Sequence, residues 1–247
     1  MMLNAKEEVI AANSKLISVI VVTYNAAKTL QTCLNSIFAQ TYPAIELIIV
    51  DGNSTDGTKE ILEANNSRIN YWISEPDKGI YDAMTKALKK ATGQWIYFLG
   101  ADDELLPDFS TMVGALSSPN RVYYASVLTR HLKPLGKVSD YYLAKLGIIQ
   151  QSIIYPKLAF EKHSYNLKYK SSADFAFNMT CFGDKELEFY YLDYVIAKFA
   201  DGGMSSHYKD VVFEKDKPFL ILKNFGPKLW FRFMFRKLKG KARSIAG

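Results

Sequence analysis

The chain has 247 residues, of which 49% are hydrophobic and 23% charged, a composition that excludes extensive disorder and allows one substantial core. Its formal net charge of +6 is uneven, because residues 209–247 hold 11 basic and 3 acidic side chains and the remainder is slightly acidic. A nucleic-acid-binding domain would spread its basic residues over the folded surface, so no nucleic-acid partner is expected.

In chain order, the first segment is a lead-in at residues 1–16, whose polar composition does not resemble a signal peptide. Short apolar runs then alternate with helical patterns as far as residue 103. The predicted strands are 17–22, 45–50, 69–73 and 95–99, and the predicted helices are 27–39, 57–64 and 80–91. This alternation predicts an α/β domain with a mostly parallel central sheet and helices on both faces.

Three of these strands end in polar residues. The first runs into residues 23–25, the second ends at Asp51, and the fourth leads to residues 102–103. The carboxyl ends of parallel strands meet at one edge of a sheet, where open α/β sheets bind their ligands. We therefore expect these polar groups to line one binding site.

Asp102 and Asp103 are candidates for a metal site. Two adjacent carboxylates after a buried strand can hold a hard divalent cation, which takes oxygen ligands and in turn binds phosphates. The alternative is a solvated turn before a helix, since Asp is a common turn and capping residue. The two residues alone leave both interpretations open.

After Asp103 the pattern becomes mixed, which is typical of a second half of the same domain. Helices are predicted at 108–116 and 173–182, and strand-like segments at 121–128, 135–138, 187–192 and 195–199. We expect this half to extend from residue 104 to residue 208.

Seven short segments carry a resemblance to a known family. In the first half they are V-V-T-Y-N at 21–25, D-G-N-S-T-D-G-T at 51–58, D-K-G-I-Y-D-A-M at 77–84 and A-T-G-Q-W-I-Y-F-L-G-A-D-D at 91–103. In the second half they are Q-Q-S at 150–152, S-A-D-F at 172–175 and G-G-M-S-S at 202–206. In this order and spacing they resemble glycosyltransferase family 2, and the second set resembles its bacterial polysaccharide-building subgroup.

The resemblance implies a GT-A fold, with one Rossmann-like, mostly parallel sheet that binds a nucleotide-sugar through residues 17–103 and an acceptor through residues 104–208. The nucleotide-sugar-binding residues that it implies are Thr23, Tyr24, Asn25, Asp51, Lys78, Gly79, Asp82 and Asp102. Turn and capping roles are the alternative for most of these residues, and Asp82 would also complement the dipole of its helix.

The resemblance also implies a cofactor, Mg²⁺ or Mn²⁺, held by Asp102 and Asp103 against the leaving diphosphate. Many members of the family carry an acid or Asn where this chain has Gly100, so the usual Asp-x-Asp pattern is reduced here. Water or a later side chain is then expected to complete the coordination of the metal.

On the acceptor side, the resemblance implies that Asp174 is the catalytic base that deprotonates the attacking hydroxyl. Gln150, Gln151 and Ser152 are the implied acceptor-binding residues, and the subgroup often has His at position 150. The alternative for Asp174 is a capping role at the start of the helix that runs to Phe182.

Residues 209–247 form a basic and aromatic tail. Wound as a helix, residues 225–243 present a broad aromatic surface beside a basic one, without an acid. Such a segment is typical of helices that lie on anionic membranes, and a helix docked on the domain is the alternative. No apolar run approaches the roughly 20 residues that span a bilayer. Cys33 and Cys181 are expected to be buried thiols of a cytosolic protein.

Together with these features, the resemblance to glycosyltransferase family 2 implies a metal-dependent, inverting glycosyltransferase. It would move a sugar from a nucleoside-diphosphate-sugar, UDP-sugar first among them, to a hydroxyl of a lipid-linked glycan in bacterial surface polysaccharide synthesis. We expect it in the cytoplasm, peripheral on the cytoplasmic face of the inner membrane. The alternatives are a sugar-phosphate nucleotidyltransferase and a non-catalytic, membrane-attached protein of the same fold. Residues 23–29 lack the Gly-rich, basic loop of the nucleotidyltransferases.

Overall fold

The computed structural model describes residues 16–129, 135–200 and 209–245, with side chains up to residue 239. Its strands are β1 (Ile17–Thr23), β2 (Ile45–Asp51), β3 (Tyr71–Ser74), β4 (Trp95–Gly100), β5 (Glu104–Leu105), β6 (Arg121–Leu128), β7 (Ile153–Pro156) and β8 (Glu188–Lys198). Its helices are α1 (Leu30–Phe38), α2 (Thr58–Ala64), α3 (Ile80–Leu88), α4 (Asp108–Gly114), α5 (Asp140–Leu146), α6 (Lys157–Lys162), α7 (Ala173–Gly183) and α8 (Val211–Ile245). Most of the lead-in and the G-G-M-S-S segment lie outside the described residues.

The strands form one sheet in the order β3-β2-β1-β4-β7-β6-β8-β5. β1 to β4 are parallel, and β7 is antiparallel to both of its neighbours, β4 and β6. β6 therefore runs in the same direction as β4, and β8 pairs with β6 in parallel. The predicted α/β architecture is confirmed, and the carboxyl ends of β1, β2, β4 and β6 lie at the same edge.

Helices cover both faces of the sheet. Alternate residues of β1 point to opposite sides, so that Ile20 packs with α3 on one face while Val19 and Val21 pack with α1 on the other. The face of α3 is continued by α7 and α8, and the face of α1 by α2 and α4. Burial on both faces explains why β1, β2 and β4 are almost continuously apolar in sequence.

The second half of the chain departs from the predicted elements. Residues 135–138 do not form a strand, because Gly136 N and Val138 N donate to the hydroxyls of Ser126 and Tyr124 instead of to a neighbouring backbone. The two predicted strands near 187–199 are one strand, β8, whose pairing with β6 shifts at Ser126. The sequence analysis did not predict β5, β7, α5 and α6, of which β5 has only two residues and β7 four.

The tail was predicted as one helix at 225–243 and is instead the second part of a longer, kinked helix. α8 runs from Val211 to Ile245, and its backbone leaves the helical region at Gly226, where φ is 79° and Pro227 follows. Part of its surface is docked on the domain, as the alternative interpretation held. Among the helices of the described residues, α8 included, none combines the length and the apolar character that a membrane crossing requires.

Candidate active site

A cleft of about 470 Å³ lies at the carboxyl edge of the sheet, between the ends of β1 and β4, the start of α3 and the 3₁₀ turn Gln150–Ser152. Seven of the predicted site residues line it: Thr23, Tyr24, Asn25, Gly79, Asp102, Gln150 and Gln151. They come from four separate segments, so the structure brings together groups that are up to 128 positions apart in the sequence.

The end of β1 is tied to the loop after β2. Asn25 has a left-handed backbone, its N–H donates to Ser54 Oγ over 2.7 Å, and its Oδ1 accepts from Thr55 N at 3.0 Å. Tyr24 is 68% exposed and lines the cleft. Thr23 belongs to the wall of the cleft, and its Oγ1 is buried and has no hydrogen-bond partner within the described chain.

Asp51 is fully buried and does not line the cleft. Its Oδ2 accepts from Ser54 N at 2.9 Å and from Ser74 Oγ at 2.6 Å, and its Oδ1 accepts from Ser54 Oγ. These bonds hold the loop after β2 in shape. A direct contact between Asp51 and the nucleotide stays a prediction, and the geometry shows a role in organising this loop.

The sequence interpretation did not include Asp77, which the structure places in the cleft. Asp77 Oδ1 accepts from Gly79 N at 2.8 Å. A Cβ atom at Gly52 would lie 2.7 Å from Asp77 Oδ2 and 3.3 Å from the ring of Tyr24, so a side chain at this position would displace them. The D-K-G-I-Y-D-A-M motif contained Asp77, but its sequence gave no reason to prefer it over Asp82.

Asp82 and Lys78 lie beside the cleft and are absent from its lining. Asp82 Oδ2 accepts from Lys78 N at 3.0 Å and lies 3.8 Å from Lys86 Nζ. Asp82 therefore stabilises the N-terminus of α3. This is the structural role that the sequence analysis gave as the alternative to nucleotide binding. Gly79, with φ of 115°, makes the sharp entry into this helix.

The adjacent carboxylates Asp102 and Asp103 have different environments. Asp102 faces the cleft. Asp103 is only 1% exposed, and its oxygens accept from Ala200 N at 2.8 Å and Gly100 N at 3.2 Å. Burial raises the pKa of Asp103 to about 6. Asp103 therefore ties the end of β4 to the segment after β8, and Asp102 is the carboxylate that is open to a ligand.

The surroundings of Gly100 show why this position does not hold the acidic side chain of the Asp-x-Asp pattern. A Cβ atom at this position would lie 2.5 Å from Asp103 Oδ2 and 2.8 Å from Asp102 Oδ1. Both carboxylates bend back over Gly100 and leave no room for a side chain. Within the described residues, no group of three or more His, Cys, Asp or Glu side chains could hold a metal. Asp102 alone still fits Mg²⁺, which proteins bind through one or two carboxylates together with substrate phosphates and water.

Asp174 lies in the first turn of α7, whose N-cap residue is Ser172. Tyr81 Oη donates to Asp174 Oδ1 over 2.6 Å, and burial of the carboxylate raises the pKa of Asp174. Tyr81 belongs to α3, two residues after Gly79 of the cleft. The hydrogen bond therefore links the proposed base to the helix that borders the cleft, and the sequence interpretation did not recognise this pair.

The predicted acceptor residues are divided between two cavities. Gln150 and Gln151 face the cleft, while Ser152 and Asp174 line a second cavity of about 540 Å³ between β6, α5 and α7. Gln150 Nε2 donates to Tyr165 Oη over 2.8 Å, so this largely buried amide is held in place. The 3₁₀ turn Gln150–Ser152 thus borders both the cleft and the second cavity.

Comparison with known proteins decides the family. The family model described as glycosyl transferase family 2 matches residues 18–179, which is more than half of the chain. This chain belongs to glycosyltransferase family 2. It is a glycosyltransferase, and the family that the sequence motifs predicted is confirmed.

Two curated relatives of this family 2 enzyme agree with that assignment. A "PGL/p-HBAD biosynthesis glycosyltransferase" of Mycobacterium bovis is 35% identical over 214 residues, which cover 81% of this chain and 83% of the relative. The Escherichia coli protein named UDP-Glc:alpha-D-GlcNAc-diphosphoundecaprenol beta-1,3-glucosyltransferase WfgD is 40% identical over 89 residues, or 36% of this chain and 35% of that protein.

A solved structure of the same architecture is the 1–349 fragment of S. aureus TarS in complex with UDP-GlcNAc. It aligns with a TM-score of 0.70 at 21% identity and covers 85% of the family 2 enzyme and 67% of the fragment. This enzyme spans 40% of the longer TarS chain. At this identity the likeness shows the fold, and the predicted GT-A fold is confirmed.

Proposed function

We propose that this enzyme transfers a sugar from a UDP-sugar to a hydroxyl of a lipid-linked glycan in bacterial surface polysaccharide or glycolipid synthesis. The observation that carries the proposal is the cleft at the carboxyl edge, where the unpaired hydroxyl of Thr23, the exposed ring of Tyr24 and the carboxylate of Asp102 converge. The TarS complex with UDP-GlcNAc supports UDP as the nucleotide. The name of WfgD, a glucosyltransferase acting on a diphosphoundecaprenol, supports a lipid-linked acceptor.

In the proposed complex the nucleoside lies against the end of β1. Tyr24 offers a ring on which a base can stack, and Thr23 Oγ1 gains the hydrogen-bond partner that it lacks within the described chain. Asp102 would hold Mg²⁺ or Mn²⁺. When bound, the metal supplies Lewis-acid stabilisation of the charge that develops on the leaving diphosphate.

Asp174 is proposed to take the proton of the acceptor hydroxyl. Burial of its carboxylate raises the pKa of Asp174 and makes it a stronger base once ionised. Tyr81 Oη keeps the carboxylate oriented through the hydrogen bond to Oδ1. The acceptor would approach through the second cavity, which Asp174 and Ser152 line. An attack from the side opposite the diphosphate gives inversion.

Membership of family 2 argues against the two alternative functions. A sugar-phosphate nucleotidyltransferase would belong to another class, and the relatives are named as transferases rather than as inactive proteins. A lipid-linked acceptor would place the proposed reaction at the cytoplasmic face of the inner membrane.

The test combines binding and transfer. Thermal unfolding is measured with UDP, GDP and dTDP, with and without Mg²⁺, because a ligand present at 100 times its Kd stabilises the folded state by about 2.7 kcal/mol. We expect UDP with Mg²⁺ to give the largest shift and Asp102→Asn to lose the contribution of the metal. Glu63→Gln, an exposed change on α2, is the control. An equal response to all three nucleotides would contradict the assignment of UDP.

A further inference from the structure

The part of α8 that follows Gly226 has an outward apolar stripe formed by Phe231, Phe235 and Leu238. These side chains are 65%, 59% and 63% exposed. Their spacing of four and three residues places them on one side of the helix, one above the other. Single exposed apolar residues are common, but a continuous stripe of large ones on an amphipathic helix indicates an interaction surface.

The opposite side of α8 fixes this helix to the domain. Before the kink, Phe225 stacks on Phe182 of α7 with ring centroids 4.5 Å apart. After it, Trp230 and Phe233 pack against the core, and the guanidinium of Arg232 lies 4.0 Å from the centroid of the Tyr141 ring in α5. These contacts between α8 and the domain therefore fix the direction in which the stripe faces.

The charged residues of α8 from Lys217 onward have a single sign. Residues 217–247 contain nine Lys and Arg and no acid. Lys228 and Lys239 are exposed beside the stripe, and Lys239 Nζ lies 4.7 Å from the centroid of the Phe235 ring. A second copy of the chain would place the same cations against each other in a two-fold interface, which is unfavourable. An anionic lipid surface complements both the rings and the cations.

We infer that the stripe Phe231–Phe235–Leu238 inserts into an anionic lipid surface while the docked side of α8 holds the catalytic domain against it. The inference deepens the proposed function, because it names how the enzyme reaches a lipid-linked acceptor, but vesicle binding does not depend on transfer. It also divides the aromatic residues of the tail into rings that contact lipid and rings that contact the domain, a division that composition does not give.

The test is co-sedimentation of the full chain with vesicles of phosphatidylcholine alone or mixed with phosphatidylglycerol. The double variant Phe231→Gln with Phe235→Gln keeps good helix formers on the exposed side and should leave the melting temperature unchanged. We expect wild type to bind the anionic vesicles in a salt-sensitive way. The double variant should bind at least about tenfold more weakly, a loss of roughly 1.4 kcal/mol.

Phe219→Gln is the matched control, because Phe219 is 66% exposed on the same helix but lies before the kink. It should bind like wild type. Equal vesicle binding by the double variant and wild type, or an equal loss in Phe219→Gln, would overturn the assignment of the stripe. So would a wild-type dimer in sedimentation velocity that the double variant abolishes. Transfer to a water-soluble acceptor should be the same in wild type and the double variant, so failure of the proposed function is seen separately.

Discussion

Replacement of Tyr81 by Phe removes one hydroxyl and leaves the ring, which packs 5.2 Å from the ring of Tyr165. The lost hydroxyl donates to Asp174 Oδ1 over 2.6 Å. Burial raises the pKa of Asp174, and the hydrogen bond from Tyr81 acts in the opposite direction by stabilising the carboxylate. Without this donor the pKa of Asp174 rises further, so a higher pH is needed to ionise the proposed base.

The size of the effect follows from the kind of hydrogen bond. A hydrogen bond to a charged group contributes about 1.5–3 kcal/mol, and each 1.36 kcal/mol is a factor of ten. On the acidic side of the pH–rate profile, where Asp174 is mostly protonated, kcat/KM of the variant should fall about 10- to 100-fold below wild type. At a pH where both proteins carry an ionised Asp174, the two rates should approach each other.

The assay is release of UDP measured as kcat/KM across the pH range. Tyr165→Phe is the matched control, since it removes a hydroxyl from the neighbouring ring that bonds Gln150 rather than Asp174. The control can lower the rate but should not move the acidic limb. If Tyr81→Phe lowers kcat/KM by the same factor at every pH, Tyr81 does not act through ionisation of Asp174, and the assignment of the base is wrong.

Three further predictions address single residues. Asp102→Asn should abolish metal-stimulated transfer and the contribution of the metal to UDP binding, while the circular dichroism spectrum is retained. Full activity of wild type in excess chelator would refute the metal role. Asp174→Asn should lower turnover by about 10²–10⁴-fold with unchanged UDP affinity. Because the pKa of Asp174 is raised, the free energy of unfolding of wild type should fall as pH rises through that pKa. Asp174→Asn should lack this pH-dependent fall, and an identical pH dependence in both proteins would contradict the raised pKa. Gly100→Ala should lose transfer because its Cβ meets both carboxylates, whereas Gly114→Ala, whose Cβ meets nothing within 4 Å, should keep it; equal activities would show that Asp102 and Asp103 can move.

The positions of the strand ends were predictable from the sequence. β1, β2 and β4 are buried on both faces, so each appears as a short apolar run that stops where polar residues begin. The parallel arrangement followed from the alternation with helices, and the meeting of residues 23–25 with Asp102 followed from that arrangement. The strands β5 and β7 of the second half were missed, since two and four residues carry little periodicity and these strands lie outside the regular alternation of strands and helices.

The two neighbouring acids show what local sequence leaves open. Asp102 and Asp103 are equivalent in sequence, and only the approach of Ala200, 97 positions after Asp103, makes one structural and leaves the other in the cleft. The same holds for Tyr81 and Asp174, which are 93 positions apart and meet through a single hydrogen bond.

Composition and periodicity by themselves determined the α/β fold class and the amphipathic nature of the tail, because these properties repeat over many neighbouring residues. The family was recognised from the resemblance of short motifs in their order and spacing. The tertiary structure alone decided which side of α8 is covered by the domain, with Phe225 against Phe182 and Phe231 exposed. Burial and hydrogen-bond partners depend on segments that are distant in the chain, and they set whether a carboxylate or a ring is available to a ligand.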